Sequence, residues 1–421
     1  MKKMISVLIT LIVLQTLGLC AETAIDNWPT WRGPDSTGAA RSANPPVKWS
    51  ETENIKWKVE VPGHGLSTPV IWADKIFFLT AYESGSSGAY KFDFVCMDRN
   101  TGNIIWQKTA REEIPHEKHH DTGSFSSSST VTDGKYVWAS FGSRGVYCYD
   151  MDGNEVWNKD LGKMRIARGY GEGSSAALAG DALIVVMDHE DASAIYALNK
   201  TNGDIIWKKD RDEGSTWATP LPVEVNGKTQ IVTNATKLIR SYDLETGDLL
   251  WQCSGQTSHV IPSPVTGFGL VYCISGAGGN KLQVIKPSTD KTGDITGTDA
   301  IVWEANSDTP YVPSPLFYGD KIYFLSNNNG ILSCYQAQDG KPNYVAQKLE
   351  GVGGFYASPV GAGNKVYLAS QNGMTLVIKH SDTYELLATN KLEDQFDASP
   401  AVVGDELFLK GKKYLYCITQ K

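Results

Sequence analysis

Short stretches of alternating hydrophobic and polar residues recur along the chain, each introduced by small residues and usually a proline. The phrase VPSPLFYGDKIYFL at 312–325 returns as ASPVGAGNKVYLAS at 357–370 and as ASPAVVGDELFLKG at 398–411. Alternation with a period of two predicts β-strands, and the glycine-containing pair between two such runs predicts a tight hairpin. A phrase that returns at a regular interval indicates stacked copies of one supersecondary unit.

Each copy continues in the same way after its first hairpin. A third strand such as IYALN is followed by a polar turn, usually Thr-Gly, and by a fourth strand that contains tryptophan, as in NTGNIIW ending at Trp106 and ETGDLLW ending at Trp251. Four short strands per unit, here named A to D in chain order, with aromatic residues at fixed places and no convincing helical pattern, are typical of a propeller blade. We therefore predict an all-β fold.

The number of copies predicts an eight-bladed β-propeller. The positions that introduce strand A are Pro69, Ser129, Ala176, Pro220, Pro264, Pro315, Pro359 and Pro400. The eighth copy ends without its tryptophan strand, whereas residues 55–61, with Trp57, have the pattern of a strand D near the start of the chain. We predict that this N-terminal strand completes the last blade, which removes open sheet edges and favours a monomer.

The first residues have the pattern of an export signal. Two lysines precede an apolar run that ends at Leu19, and the sequence then turns polar at Cys20-Ala21-Glu22. This layout predicts a cleaved signal peptide at 1–21, an extended segment at 22–54 and a propeller domain at 55–421, with no transmembrane segment. The protein is therefore expected in the periplasm or outside the cell. Lipid attachment at Cys20 is the less favoured alternative, because bulky Leu19 precedes it.

The overall charge narrows the class of partner. The formal net charge is −8, with 47 acidic and 39 basic residues, and no basic cluster stands out in the sequence. A nucleic-acid partner would need such a cluster, so none is expected.

The combination of leading proline, hairpin, YALN-like strand and TGxxxW strand resembles the pyrroloquinoline-quinone (PQQ) repeat. This repeat is shared by quinoprotein dehydrogenases and by propellers similar to the outer membrane assembly factor BamB, and the resemblance covers residues 49–419. The preface WPTWRGPDSTG at 28–38 also resembles one found ahead of secreted propellers of this type. The resemblance implies the fold, but a fold alone does not imply a function.

The resemblance also raises PQQ, with calcium, as a cofactor. In the dehydrogenases PQQ lies on the propeller axis under a disulfide between adjacent cysteines, with calcium held by carboxylate and amide side chains. This sequence has no adjacent cysteine pair and no CxxCH haem motif. We therefore expect no cofactor, and keep a PQQ-dependent dehydrogenase as the alternative.

Loop lengths indicate which face of the propeller is functional. The connections from Trp106 to Ser129 and from Trp157 to Ala176 are longer than that from Trp207 to Pro220, and residues 82–92 add a long connection between strands B and C of blade 1. In a four-stranded blade these D-to-A and B-to-C connections lie on the same face. Long loops on a rigid scaffold commonly carry function, so this long-loop face is the predicted binding face. The insertion at 286–300 lies on the opposite face and is predicted to be a solvated excursion.

Two candidate sites lie on the long-loop face. Aromatic and charged residues just ahead of strand A predict a ligand-binding mouth on the axis, and two arginines in the second long loop predict an anion clamp above it. The candidate binding residues are Trp217, His259, Glu172, Tyr170, Arg165, Arg168, Tyr311, Tyr356 and Asp397. The spacing of His116, His119 and His120 would suit a metal if the segment turned helically, although a hydrated loop without ligand explains the same residues.

Two functional hypotheses follow from these observations. The first is an exported, non-catalytic scaffold that binds a protein, peptide or glycan on the long-loop face. The second is a periplasmic quinoprotein or metal-dependent enzyme whose site is the axial mouth. The sequence leans to the first, since it contains no nucleophile elbow, HExxH, phosphate loop or dinucleotide-binding fingerprint.

Overall fold

The computed structural model describes residues 27–85, 87–326 and 330–420. The predicted signal peptide at 1–21 lies outside these residues. The described chain forms eight sheets arranged as the blades of a ring, with two single turns of 3-10 helix at Gly142–Arg144 and Ala167–Gly169. The predicted eight-bladed, all-β propeller is confirmed. No helix among the described residues is long and apolar enough to cross a membrane.

The strands of the first four blades follow chain order. The first strand of the chain, β1 (Ile55–Glu60), belongs to the last blade. Blade 1 contains β2 (Val70–Trp72), β3 (Lys75–Glu83), β4 (Tyr90–Asp98) and β5 (Ile104–Glu113), and blade 2 contains β6 (Val131–Thr132), β7 (Tyr136–Ser140), β8 (Val146–Asp150) and β9 (Glu155–Lys159). Blade 3 contains β10 (Ala177–Ala179), β11 (Ala182–Met187), β12 (Ala194–Asn199) and β13 (Ile205–Asp210), and blade 4 contains β14 (Leu221–Val225), β15 (Lys228–Thr233), β16 (Ile239–Asp243) and β17 (Leu249–Cys253).

The remaining blades repeat this order. Blade 5 contains β18 (Val265–Gly267), β19 (Leu270–Ser275), β20 (Lys281–Ile285) and β22 (Ile301–Ala305), and β21 (Gly293–Asp294) lies between the last two in sequence. Blade 6 contains β23 (Leu316–Tyr318), β24 (Lys321–Ser326), β25 (Ile331–Gln336) and β26 (Pro342–Lys348). Blade 7 contains β27 (Val360–Ala362), β28 (Lys365–Ala369), β29 (Met374–Lys379) and β30 (Leu386–Lys391), and blade 8 contains β31 (Ala401–Val403), β32 (Glu406–Lys410) and β33 (Tyr414–Ile418).

The N-terminal strand closes the ring as the sequence predicts. β1 pairs antiparallel with β33, with Trp57 opposite Cys417 and Val59 opposite Leu415. Lys56 reinforces the join through an ion pair of 2.6 Å with Glu406, which also binds Arg99 of blade 1. The last blade therefore has four strands, and its outer strand comes from the start of the chain.

The Thr-Gly turn and the tryptophan of the repeat interlock neighbouring blades. The indole of Trp106 in blade 1 packs on Gly153 in the C-to-D turn of blade 2, where an added Cβ would be only 2.7 Å from Cδ2 of the indole. Nε1 of Trp106 also donates to Met151 O at 3.2 Å. The same contact recurs for Trp57 with Gly102, Trp157 with Gly203, Trp207 with Gly247, and Trp303 with Gly340. Within one TGxxxW phrase, the glycine therefore contacts the preceding blade and the tryptophan contacts the following blade.

The six described cysteines are free and buried, as expected of small core residues. Burial raises the pKa of Cys334 to about 11, and that of Cys273 well above its usual value. These thiols therefore stay protonated at neutral pH.

Most of the insertion at 286–300 is exposed, as its polar sequence predicts, but one part of it pairs with the neighbouring blade. Its β21 segment pairs in parallel with β17 of blade 4, placing Gly293 beside Trp251, and Ile295 is buried against that blade. The insertion contains two Thr-Gly pairs, but a Cβ added at Gly293 or Gly297 would have nothing within 4 Å, so Trp251 lacks the usual contact. Its Nε1 donates instead to Gln230 of its own blade at 2.9 Å.

The predicted long loop of blade 1 at 82–92 is partly strand, because only residues 84–89 lie outside β3 and β4. β3 and β4 continue as a paired hairpin to Glu83 opposite Tyr90, leaving only a short tip. The reason is aromatic packing, because buried Phe92 makes edge-on contacts with Phe125 and Phe141.

Candidate functional site

The axis of the ring contains a cavity of about 300 Å³ on the long-loop face. Four partly buried aromatic side chains form much of its wall, and the segments just ahead of strand A in blades 3, 4, 6 and 7 supply them. These side chains are Tyr170, Trp217, Tyr311 and Tyr356. The connection after β9 also contributes Glu172, and the connection before β31 contributes Asp397. Six of the nine predicted binding residues therefore meet at one cavity.

Three predicted binding residues lie outside the cavity wall. His259 packs behind it, with its ring 6.2 Å from that of Trp217 and 6.3 Å from that of Tyr170. Arg165 is exposed and forms an ion pair of 2.6 Å with Asp191. Arg168 is exposed and donates to Tyr170 Oη at 3.3 Å. The two arginines therefore stand at the surface near the second long loop, and their predicted anion clamp stays a prediction.

The two carboxylates of the wall have different surroundings. Glu172 accepts the backbone N–H of Ser143 at 2.8 Å and lies 3.2 Å from the guanidinium of Arg144, so its charge is neutralised within the wall. Asp397 is buried and accepts from Gln371 at 2.7 Å, and the ammonium of Lys412 is 3.8 Å away. Burial raises the pKa of Asp397 above its usual value.

The bottom of the cavity is a closed ring of hydrogen bonds between all eight blades. In each blade the residue ahead of strand A donates its backbone N–H to the side-chain hydroxyl of the equivalent residue in the next blade, at distances of 2.8 to 3.3 Å. The eight residues of this hydroxyl ring are Thr68, Ser129, Ser175, Thr219, Ser263, Ser314, Ser358 and Ser399. All of them line the cavity.

The hydroxyl ring explains the recurring Ser-Pro phrase. A hydroxyl at this position accepts the N–H of the previous blade and satisfies a backbone donor that would otherwise be buried near the axis. Proline comes next in six of the eight blades, at the start of strand A, where a missing N–H is tolerated. The sequence alone indicates a need for small residues here, but it does not indicate a ring of hydroxyl acceptors.

The segment at 27–49 crosses the axis on the other side of the hydroxyl ring. Trp28 pairs with Ile71 in blade 1, whereas Thr37 accepts from the backbone N–H of Phe317 in blade 6 and Ala40 donates to Gly361 O in blade 7. Trp31, between these anchors, lines the cavity. The segment at 27–49, which includes the preface at 28–38, therefore forms a floor beneath the hydroxyl ring.

Arg32 is the most buried charge of this floor, with 2% of its surface exposed. Its guanidinium donates to Pro315 O at 2.6 Å and to Pro359 O at 3.0 Å, and these prolines directly follow two members of the hydroxyl ring. No carboxylate in the described part of the chain lies within ion-pairing distance, and its Nε has no hydrogen-bond partner there. Burial lowers the pKa of Arg32 to about 9.

The three histidines of the first long loop contact three different groups. Nε2 of His116 lies 2.8 Å from Met164 O, His119 packs edge-on against Phe125, and Nδ1 of His120 lies 2.8 Å from Thr122 Oγ1. Among residues that the structure describes, no group of three or more side chains is arranged to hold a metal. A metal at His116, His119 and His120 stays a prediction.

The comparisons with known proteins agree with this architecture. A family model described as outer membrane protein assembly factor BamB matches residues 41–167 and 191–421. The chain belongs to this family. No curated protein matches the sequence significantly.

Solved structures show the same fold at low sequence identity. BamB from Moraxella catarrhalis is 13% identical, with a TM-score of 0.59, and the match covers 86% of this chain and 98% of that one. A quinohemoprotein alcohol dehydrogenase from Pseudomonas putida is 9% identical, with a TM-score of 0.61, and the match covers 94% of this chain and 80% of that one. At these identities the likeness extends to the fold alone.

The donor set of the cavity does not fit PQQ. That cofactor carries three carboxylates, which need several cationic partners, and no lysine or arginine is among the described residues that line the wall. The wall contributes Glu172 and Asp397 instead, and all six described cysteines are buried and free. Arg32 supplies one positive charge below the hydroxyl ring, where its guanidinium donates to the backbone carbonyls of Pro315, Pro359 and Thr37, and it does not line the cavity itself.

Proposed function

We propose that this family member is an exported, non-catalytic binding scaffold whose axial cavity holds the end of a glycan or peptide chain, including a chain end presented by a protein. The observation that carries the proposal is the cavity on the long-loop face, with four aromatic side chains around it and the hydroxyl ring below. Aromatic rings bind the flat faces of sugars and apolar side chains, and hydroxyls orient polar groups.

The floor favours a chain end over the middle of a chain. Trp31 lines the bottom of the cavity, and the preface lies across the axis between its anchors on blades 1 and 7. A polymer cannot run through the ring past these residues without displacing them. A ligand that enters from the long-loop face therefore ends at the hydroxyl ring.

The family match also supports a binding role. The matching model describes an outer membrane protein assembly factor, whose role is assembly. The quinohemoprotein alcohol dehydrogenase is the structural precedent for the enzyme alternative. The residues that line the cavity favour the binding role over the enzyme, because they include no lysine or arginine to bind a quinone tricarboxylate.

Arrays of immobilised oligosaccharides and of peptides with free C-termini test the proposal directly. We expect at least one class of chain end to bind the wild-type protein, and the variants Trp217→Ala and Tyr356→Ala to bind it at least tenfold more weakly. Phe268→Ala is the matched control, because this aromatic residue is 50% exposed and lies in an A-to-B turn on the opposite face. Melting temperatures of all variants separate lost binding from lost folding.

The enzyme alternative has its own measurement. We expect no dye-linked dehydrogenase activity after addition of PQQ and calcium, and no change in the melting temperature with PQQ. Turnover that depends on PQQ and is lost in Trp217→Ala would replace the scaffold proposal with the enzyme. Equal array binding by the wild type, Trp217→Ala and Tyr356→Ala would place the binding site elsewhere on the molecule.

A further inference from the structure

We infer that the floor of the axial cavity binds a single carboxylate group, carried by a ring-shaped ligand body and held by the hydroxyl ring above Arg32. The inference rests on the proposed function, because it concerns the same cavity and names the chemistry of the chain end that enters it. Three independent observations lead to it: the unused donors of the hydroxyl ring, the unpaired charge of Arg32, and the acidic upper wall.

The O–H groups of the hydroxyl ring do not donate to any group in the described parts of the chain. A serine or threonine hydroxyl has one hydrogen to donate and two lone pairs with which to accept. Each of the eight hydroxyls uses one lone pair for the N–H of the previous blade. None of the eight has an acceptor for its own hydrogen in the described parts of the chain, and seven of them are buried, with Thr219 partly buried. A group placed on the axis therefore meets a circle of hydroxyls whose O–H groups are free to donate, and an acceptor with several lone pairs, such as a carboxylate, can bind several of them at once.

Arg32 makes an anion the preferred acceptor. Its guanidinium is held by the carbonyl groups of Pro315 and Pro359, one residue beyond Ser314 and Ser358 of the hydroxyl ring. A buried cation without a counter-ion is costly, because desolvation is not repaid by an opposite charge. An anion on the axis would offset that cost, and the low pKa of Arg32, about 9, would then rise toward its usual value.

The upper wall limits the ligand to one carboxylate. Glu172 and Asp397 face the same cavity above the ring, and the described wall contains no lysine or arginine. A second carboxylate at this level would find no cation among the described lining residues and would lie beside two further carboxyl groups. The remaining wall is rich in aromatic side chains, so the body of the ligand is a ring with an apolar face, either a sugar or an aromatic ring, stacked among Tyr170, Trp217, Tyr311 and Tyr356.

Matched pairs of small probes test the charge and the source of the ring. Calorimetric titrations compare glucuronate with glucuronamide and benzoate with benzamide, at low salt. We expect one of the carboxylates to bind at least tenfold more tightly than its amide, which has the same shape without the charge. Binding of glucuronate identifies an acidic sugar as the ligand class, and binding of benzoate identifies an aromatic acid. Binding without preference for the carboxylate in both pairs would overturn the inference.

Variants of the floor test the part played by Arg32. Arg32→Gln removes the charge and is expected to abolish the preference for the carboxylate, whereas Arg32→Lys is expected to keep most of it. Arg41→Gln is the control, because this exposed arginine of the same segment pairs with Asp35. If both Arg32 variants fail to fold, the preference of the wild type for carboxylate over amide decides the question alone. A folded Arg32→Gln protein that keeps the full preference would overturn the inference.

The two proposals fail in different ways. If no carboxylate probe binds but a neutral glycan or peptide end binds on the arrays and is lost in Trp217→Ala, the carboxylate inference is wrong and the scaffold proposal stands. If neither arrays nor probes show binding that depends on the cavity, both are wrong.

Discussion

The backbone N–H of Ser399 in blade 8 donates to Thr68 Oγ1 in blade 1 at 3.2 Å. This hydrogen bond joins the last blade to the first and completes the hydroxyl ring. Because every member is both an acceptor through its side chain and a donor through its backbone, the eight bonds form one continuous circuit around the axis. The circuit determines the position of the innermost strands and thus the width of the cavity.

Removing one hydroxyl of this circuit should destabilise the whole propeller. In Ser358→Ala the buried N–H of Ser314 loses its acceptor, which we expect to lower the free energy of unfolding by about 1–3 kcal/mol. Denaturant unfolding followed by tryptophan fluorescence measures the change. Ser87→Ala, at an exposed position of blade 1, should leave the unfolding midpoint unchanged. A Ser358→Ala protein as stable as the wild type would mean that the circuit contributes little.

The contact between tryptophan and glycine is tested by a matched pair of alanine substitutions. Gly153 and Gly227 have φ values of 83° and 77°, so alanine at either position adopts a left-handed conformation at a cost of about 1–2 kcal/mol. Only at Gly153 does the new Cβ meet an indole, that of Trp106, whereas Gly227 has nothing within 4 Å. We expect Gly153→Ala to lower the melting temperature clearly more than Gly227→Ala. Equal losses would show that the indole moves away freely.

Lys410 should make stability depend on alkaline pH. Its ammonium group is buried beside Gly65 O, and burial lowers its pKa to about 8, although the nearby Asp394 and Asp397 act in the opposite direction. The unfolded chain then binds more protons than the folded one between pH 8 and about 10.5, so this group destabilises the fold fully below pH 8 and progressively less above it. The sign predicts that stability rises with pH across this window.

The variant Lys410→Met isolates that contribution. We expect it to be more stable than the wild type at pH 7, and we expect the difference to shrink as the pH is raised to 10. Urea midpoints of the two proteins at each pH give the comparison and cancel the titration of other groups, such as Asp397 and the tyrosines. A difference that stays constant from pH 7 to pH 10 would contradict the low pKa.

Deleting residues 22–61 should open the ring. The deletion removes β1 and leaves the outer edge of β33 unpaired, and it also removes the buried side chains Trp28 and Arg32 from the floor. Exposed strand edges pair with other chains, so we expect a lower melting temperature and self-association in size-exclusion chromatography. A chain that begins at residue 27 keeps β1 and serves as the control. An unchanged melting temperature and elution volume after the deletion would contradict closure by β1.

Most of the fold could be predicted, because the same sequence pattern recurs in each blade. The blade number, the closing role of Trp57 and the position of the axial mouth all follow from the spacing of prolines and tryptophans in the sequence. The paired strand of residues 286–300 did not follow, since a two-residue strand such as Gly293–Asp294 has no hydrophobic alternation of its own.

The candidate site was predictable only in part. Aromatic residues ahead of strand A could be placed at the mouth because each blade offers an equivalent position. The floor could not, because Trp31 and Arg32 belong to a segment without repeats, and only its contacts with blades 1, 6 and 7 place it on the axis. Arg165 and Arg168 were predicted to lie above the mouth from the length of their loop alone, and the structure shows Arg165 exposed and paired with Asp191.

The pairing of β1 with β33 also has a consequence for the order in which the molecule is made. Trp57 meets Cys417, so the first strand of the ring in chain order pairs with the last. During synthesis, and during any passage across a membrane as an unfolded chain, β1 has no native partner until almost every other residue is available. The last blade therefore forms late. A nascent chain that stops before β33 contains seven blades that are complete in sequence but has no closed ring.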